Sequence, residues 1–557
     1  MVKALFWGGV LASAASLVTD RWLQKSIRDH WKLILVLVLL VLSWRIPWEG
    51  TFFHGLEYED SYVYTVASRQ MLETGGPSPA ATEFPYSIDV CVVGSLNSCH
   101  EWQAFREHFI GYPYTVSLLS RLIGYRPDVG SIENVVAACM TGVLIFFIAL
   151  LATSDVMTAG AAAIVFAITP VFAVYGLETS AEPASNACLS LVIWLYVRSI
   201  STLGIFDHLW RQWMRWCALI AVLLFSMTVK REDIMLALIL PVILPLVADW
   251  RAAPRFERIR LLVILVLGAA LALAFCVHMR LPQTAEGEAG LLRAYPLTVG
   301  RLAMFVYSFA RSFFVNEWYG GAAFVVAIGA VVCCRRRGLL LVPLVVFIAF
   351  GLLYAFHIRS YYEMRSGHIE SLAALRFSMN LMTVWSLLAG IGIGAVGMKV
   401  RGLRLYCRYK RISLFIGMGT LALALAVSFV ITKSLRAGAV EDETNVRVTP
   451  ALTALEFASG SGSQSDYIVT LEPLVVQMYA NSTVRVVDLA NITPTELHEM
   501  MISEQVRRFV YLDEGIHQSE ADSIRYGTQI RYLDFLSQRV VYNSQEFRII
   551  SVDLPSR

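Results

Sequence analysis

The sequence predicts an α-helical polytopic membrane protein that ends in a small α/β domain. Three observations lead there. The 557 residues are 57% hydrophobic and only 16% charged, with a mean hydropathy of +0.59, where a soluble chain carries about 25% charged residues. Apolar runs near the roughly 17–25 residues that cross a bilayer recur from residue 33 to residue 432. Beyond residue 432 they give way to short β-branched runs between polar turns. The net charge of +3 says little by itself, and no nucleic-acid partner is expected. The nine cysteines show no CxxC and no Cys/His zinc spacing. Cys139, Cys188, Cys217 and Cys276 lie in or beside apolar runs and read as packing residues.

Residues 1–30 form an N-terminal cytoplasmic or interfacial segment. The apolar run from Lys3 to Val18 is open between a signal-like stretch, a short extra span and an interfacial helix. Arg21, Lys25, Arg28 and Lys32 then precede the run 33–48. Basic residues before a span favour the cytoplasmic side, so this span runs outward. Further runs cover 131–152, 156–175, 182–198, 214–229, 234–248, 259–279, 319–334, 339–357, 375–397 and 411–432. Residues 31–432 thus form a transmembrane domain of about 11 spans. The alternation puts Arg198, Arg211 and Arg215 inside, then Arg251, Arg255, Arg258 and Arg260, then Arg335 to Arg337, and last the basic stretch 399–411, as the positive-inside rule requires.

An odd number of spans leaves residues 433–557 outside. Tyr467–Thr470, Val484–Val487 and Arg508–Leu512 read as strands, with helical stretches near 471–480 and 494–506. There is no GxGxxG, no Walker motif and no internal repeat.

The polar residues collect on the outer side. The first outer loop, 49–130, is far longer than a connector needs. It carries Glu57, Glu59 and Asp60, then a helical pattern in which Tyr64, Ala67 and Met71 share a stripe. Carboxylates close to a bilayer are costly to desolvate; the plain alternative is that Asp60 caps a helix over 61–73. Cys91 and Cys99 are spaced to close a short loop, a candidate disulfide in an oxidising compartment. The segment from His108 through Tyr112 and Pro113 to Gly124 reads as an interfacial helix. Glu178 and Glu182 stand at the turn before the run 182–198, where a helix N-terminus also suits an acid.

Lys230-Arg231-Glu232-Asp233 joins two apolar runs with two cations on the outer side, against the charge bias. Snorkelling accounts for them; so does an anion site, since a guanidinium fork suits a phosphate. Arg293, Arg301 and Arg311, then Arg359, Arg365, His368 and Arg376, are further outer cations. Cations grouped with carboxylates at one membrane face fit sugar transfer from a lipid-linked phosphate. A carboxylate takes the proton of the attacking hydroxyl. Arg and Lys stabilise the charge growing on the phosphate, so no metal is obligatory, although a divalent ion is compatible.

The order of these features resembles the GT-C superfamily of integral-membrane glycosyltransferases, near the protein O-mannosyltransferase and aminoarabinose-transferase-like branch. Glu59-Asp60 through Tyr64 and Ala67 is similar to that family's acidic pair after the first span. His108 through Tyr112, Pro113 and Tyr114 to Gly124 is similar to its surface helix. Glu182-Pro183, the step Lys230 to Asp233, and Arg376-Phe377 resemble later elements. The resemblance covers roughly residues 30–400. It implies Asp60 as catalytic base with Glu59 as neighbour or substitute, and Arg231 with Lys230 and Arg376 at the donor phosphate. Glu57, Tyr64, His108, Tyr112, Glu178 and Glu182 would line the substrate cavity. It also implies inversion at the anomeric carbon. The acidic pair is Glu-Asp rather than the commoner Asp-Glu, which leaves the choice of base open.

The expected function is therefore a glycosyltransferase that moves a sugar from a polyprenyl-phosphate donor to a lipid, glycan or protein acceptor. The expected place is the extracytoplasmic face of a membrane such as the bacterial inner membrane, among membrane lipids. A transporter or flippase of a lipid-linked or anionic substrate is the alternative; it would place ionisable residues at mid-membrane and show repeated halves. A non-catalytic assembly or sensor protein, binding through residues 433–557, is the third.

Overall fold

The computed structural model describes residues 2–46, 58–73, 111–169, 173, 176, 179–202, 209–247, 254–278, 337–356, 379–401, 410–460, 467–470, 473–479, 484–489, 494–503, 506, 508–513, 537–544 and 547–553. By contact the chain divides into two compact units: Met1–Thr51, Phe109–Tyr112 and Ser131–Arg436 form one, and Phe52–His108, Pro113–Gly130 and Ala437–Arg557 form the other.

The first unit is helical. Its elements are α1 (Val2–Thr19), α2 (Arg21–Arg45), and, after α3 and α4 described below, α5 (Val129–Thr153), α6 (Val156–Ile168), α7 (Ala181–Ser201), α8 (Leu209–Val229), α9 (Ile234–Ile243), α10 (Arg255–His278), α11 (Arg337–Phe356), α12 (Met379–Arg401) and α13 (Lys410–Glu443), the last of which continues into the second unit from Ala437. Among the described residues, four helices are long and apolar enough to cross a membrane: Val129–Thr153, Trp210–Val229, Arg255–Phe275 and Leu421–Gly438. Shorter apolar helices include Lys3–Thr19, Val156–Ile168, Ile234–Leu246, Leu339–Phe350 and Thr383–Gly394.

The run before residue 20, open in the sequence, is a helix packed along α8. Phe6 meets Phe225 edge to face at 5.2 Å, and Gly9 faces the backbone of Ala221. The pairing falls on one residue number as it rises on the other, so α1 and α8 are antiparallel. The corner after α1 is held by Asp20. Its side chain caps α2 by accepting from the backbone N–H of Trp22 at 2.9 Å and Leu23 at 3.1 Å. It also receives a two-pronged bond from Arg198, Nε to Oδ2 at 2.7 Å and Nη2 to Oδ1 at 2.9 Å.

Two further joints fix the helices. Asp155 turns the chain between α5 and α6, accepting from the N–H of Thr158 at 2.8 Å and from its hydroxyl at 2.6 Å. α6 then crosses α12 at backbone distance. A Cβ added at Gly390 would lie 2.1 Å from the Cα of Ala162, and one at Gly394 2.3 Å from Oγ1 of Thr158. Gly390-x-x-x-Gly394 and Thr158-x-x-x-Ala162 are thus facing small-residue pairs, the arrangement that lets apolar helices approach closely.

In the second unit lie α3 (Tyr58–Glu73), most of α4 (Gly111–Ile123), and the C-terminal elements α14 (Thr449–Gly460), β1 (Tyr467–Thr470), α15 (Pro473–Tyr479), β2 (Arg485–Asp488), α16 (Pro494–Ser503), β3 (Arg508–Asp513), β4 (Ser537–Asn543) and β5 (Arg548–Asp553). The sheet order is β2-β1-β3-β5-β4. β1 pairs in parallel with β2 and β3, while β5 runs antiparallel to both β3 and β4. One face is covered by Leu497 of α16 over Val469, Val487 and Phe509. The other packs Ile468, Val486, Val510 and Ile549 against Ala454 of α14, Val476 of α15, and Tyr62, Val63 and Val66 of α3. Glu59 and Asp60 of the acidic stretch therefore lie in the first turn of a helix docked on the sheet. β4 and β5 are additions to the strands read from sequence.

Candidate functional site

The best-defined polar cluster of the helical unit joins the start of α7 to the turn after α8. α7 begins at Ala181, and Glu182 falls in its first turn, where the helix dipole favours an acid. The chain before it is tied to α5: Asn134 donates to the carbonyl of Ser180 at 3.0 Å, and Ser131 and Thr179 share a hydroxyl contact at 3.4 Å. α8 ends at Val229 and a single 3-10 turn, Arg231–Asp233, leads into α9. This places Lys230 and Asp233 on the same side of the turn as α7.

Lys230 Nζ lies 3.5 Å from Glu182 Oε1, with both side chains buried. One turn further along α7, Ser185 donates to Asp233 Oδ2 at 3.0 Å. Asp233 is wholly buried. Burial pushes its carboxyl well above the usual carboxylate range, against the pull of Lys230 and of the Ser185 bond, with Glu232 adding to the rise. Glu133 of α5 and Asp233 both lie near enough for their charges to act on Cys188. Snorkelling thus fails for Lys230: its ammonium turns inward to an acid instead of reaching for water.

Gly111, which opens α4, touches this turn from another direction. A Cβ there would sit 2.3 Å from Oγ1 of Thr228 and 2.6 Å from its backbone carbon. Tyr112 follows it and is fully buried. α4 is more deeply buried over its first half than an interfacial helix would be, and only its end, from Arg121 to Ile123, is exposed.

The opposite ends of α7 and α8 carry a second cluster. Arg198 and Arg215 converge on Asp20, the latter at 4.0 Å, and Arg215 also donates to the Thr202 hydroxyl at 2.6 Å. From Glu182 to Arg198 the helix rises about 24 Å. The two clusters therefore mark opposite ends of one bundle, as the alternation of loops in the sequence requires.

Of the residues singled out in the sequence, Glu182 and Lys230 are brought into contact. Tyr64 is buried on α3. For Glu59, Asp60 and Arg231 the backbone alone is described; the first two fall in the opening turn of α3, which starts at Tyr58. Asp60 is thus inside the helix, and the expectation that it is an N-cap for 61–73 is corrected. Glu57, Cys91, Cys99, His108, Glu178 and Arg376 lie outside the described residues. Asp233 entered only as the end of the step from Lys230, and Ser185 and Glu133 were not singled out by the sequence. Neither was Arg45, fully buried at the end of α2, where it donates to the Ala167 carbonyl at 3.4 Å and covers the Phe166 ring at 5.2 Å. Among the described residues no group of His, Cys, Asp and Glu is placed to hold a metal.

The chain as a whole is similar to ArnT, the aminoarabinose transferase from Cupriavidus metallidurans. The match to ArnT bound to undecaprenyl phosphate covers 95% of this chain and 98% of that one, with a TM-score of 0.59 and 11% identity. ArnT in the apo state matches over 94% and 98%, with a TM-score of 0.56 and 11% identity. At this identity the likeness is one of fold: the chain has the fold of ArnT. A more distant likeness is to the oligosaccharyltransferase AglB from Archaeoglobus fulgidus, at a TM-score of 0.48 and 10% identity over 94% of this chain and 74% of that one. No family model matches the chain. No curated protein matches it at a significant level. The resemblance read from motif order and sidedness is matched by a likeness of fold to ArnT, which extends past residue 400 into the C-terminal unit.

Proposed function

We propose that this GT-C chain is an integral-membrane glycosyltransferase that moves a sugar from a polyprenyl-phosphate donor to an acceptor hydroxyl or amine. The observation that carries the reading is a buried lysine held between acids, at one end of a helical unit in a chain with the fold of ArnT. A buried ammonium with carboxylate neighbours is costly to maintain. It is worth that cost where an anion must be met away from water.

In the reaction the acceptor's heteroatom attacks the anomeric carbon. The anomeric carbon–oxygen bond to phosphate breaks, and its electron pair leaves with the polyprenyl phosphate. Asp60, or Glu59 beside it, takes the proton of the acceptor. Lys230, with Arg231, meets the phosphate as its charge grows from a diester to a monoester. Glu182 holds Lys230 in place, and attack opposite the leaving group inverts the anomeric centre. The side of the membrane is the one reached by the start of α7 and the end of α8, extracytoplasmic by the charge bias of the loops. The membrane is of the bacterial inner type, and no metal is required by this chemistry.

Mass spectrometry of lipid-linked sugars in cells lacking the protein tests the reading. A polyprenyl-phosphate sugar should accumulate and disappear on complementation. Asp60→Asn should not clear it, and should lower transfer by about 100-fold or more in membranes that hold normal amounts of protein. An unchanged pool of lipid-linked sugars would rule the reading out.

A further inference from the structure

A cavity of about 870 Å³ lies within the helical unit between α1, α2, α5, α7 and α8. Its walls are apolar, built from residues such as Leu17, Val143, Phe147, Leu191 and Val222. Several wall residues are also exposed: Val10 at 40%, Val18 at 67%, Ile27 at 44% and Met140 at 47%. The cavity therefore has a mouth on the flank of the unit. It exists because α1 leans on α8 while its far edge stays clear of α5. The joint at Phe6 and Gly9 fixes one side of the wedge, and Asp20 fixes its corner.

The mouth has a basic rim at the corner between α1 and α2. Gln24 and Ile27 of α2 line the cavity there, and Arg21, Lys25 and Arg28 are exposed around them. Residues three and four apart share a helix stripe, so Arg21 and Arg28 flank Gln24 on the stripe that meets the cavity. Lys32 follows, and Asp29 is the one acid between 21 and 32. Asp20 is already engaged by Arg198. A hydrocarbon-lined cleft with a net-positive rim matches one chemistry, an apolar chain joined to an anionic head.

We propose that this cleft binds an anionic glycerophospholipid, with an acyl chain between α1 and α5 and the phosphate on Arg21, Lys25 and Arg28. The carrier lipid of the proposed reaction is a poorer fit. Its phosphate would sit by Lys230, at the far end of α8, whereas this rim is at the Asp20 end. The bound lipid completes the packing of α1, and it does so whatever chemistry the chain performs.

Native mass spectrometry of the delipidated full-length protein in detergent tests the site, with phosphatidylglycerol, phosphatidylcholine and undecaprenyl phosphate as separate additions. One phosphatidylglycerol should be retained about tenfold or more over phosphatidylcholine, because each basic residue adds to the hold on an anionic head. Ala14→Trp fills the cavity and should abolish that retained lipid. Met140→Trp, at the exposed wall, makes the same test if the first variant fails to fold. Arg21→Gln with Lys25→Gln and Arg28→Gln should abolish the preference for phosphatidylglycerol. Equal retention of phosphatidylcholine by the unaltered protein, retention unaffected by both tryptophan variants, or displacement of phosphatidylglycerol by an equal amount of undecaprenyl phosphate would each overturn the proposal.

Discussion

Lys230 and Glu182 meet at 3.5 Å although 48 residues separate them, and both are buried. The contact ties the end of α8 to the start of α7. Removing one partner leaves a buried charge without its counterion, which costs about 3–5 kcal/mol. Lys230→Met and Glu182→Gln should therefore each lower the melting temperature in detergent. The double variant should be less damaged than the sum of the two, by about 0.5–3 kcal/mol of coupling. Additive losses in that cycle would mean that the two side chains do not act on each other.

The pH dependence of stability should show two opposing acids. At Asp20 burial works to raise the carboxyl pKa, but the Arg198 bonds and charge outweigh it and hold the group below its ordinary value. The unfolded chain then binds a proton more readily than the folded one. Stability from this group is present above the unfolded pKa of about 3.9 and is lost as pH falls through the folded value. Asp233 has the opposite sign, since its pKa is raised by burial. Above about pH 3.9 the folded state keeps a proton that the unfolded state has lost, so stability falls as pH rises toward the folded pKa. Melting curves from pH 3 to 7 should show Asp20→Asn flattening the acid limb, and Asp233→Asn removing the fall on the other side. Parallel curves for both variants and the parent would refute the assignment.

The parts of this site that were legible in the sequence were those with a one-dimensional signal. Glu182 and Lys230 stand out because charge at the edge of an apolar run needs a reason. Asp233 and Ser185 gave no such signal: Asp233 reads as the end of a short charged turn, and Ser185 as an ordinary small residue in a span. Their roles come from α7 lying against the turn after α8, a tertiary fact. The same holds for Gly390 and Gly394, whose use depends on Thr158 and Ala162 facing them. β4 was missed for a different reason. Residues Gln538, Arg539 and Val540 are all exposed, so this edge strand lacks the alternation that marks a half-buried one. The docking of α3 on the sheet joins segments nearly 400 residues apart, which no local pattern encodes.

The crossing of α6 and α12 gives a steric prediction with an internal control. A side chain at Gly394 would meet the Cα and Cβ of Thr158 at 2.6 Å, and backbone cannot yield cheaply. Gly394→Ala should force the helices apart and cost about 1–3 kcal/mol, the range for overpacking. Gly397 lies on the same helix with nothing within 4 Å of an added Cβ. Gly397→Ala should be neutral or stabilising, by up to about 1 kcal/mol from helix propensity. The two melting temperatures, measured side by side, decide it; equal shifts would place the helices further apart than the packing described.

The helix that carries Glu59 and Asp60 can be loosened from its scaffold without touching either acid. Val63 and Val66 of α3 are buried against the sheet at 0% and 2% exposure. Arg69 stacks over the Tyr125 ring at 5.1 Å and donates to the Gln477 carbonyl at 3.3 Å, while the Tyr125 hydroxyl donates to Met478 at 3.0 Å. Val63→Asp would bury a carboxylate in that apolar face, at a cost of several kcal/mol unless α3 lifts away. Lifting is the cheaper outcome, because the sheet keeps its own ladder, α14 and α15 on the same face and α16 on the other. Limited proteolysis should then cut near α3 while β1 to β5 stay protected, and transfer should fall together with the cutting. Val63→Ala, which shortens the contact without a charge, should cost about 0.5–1.5 kcal/mol on the usual scale for a small deletion and leave transfer nearly intact. Full transfer by Val63→Asp with α3 released would mean that Glu59 and Asp60 need no support from the sheet.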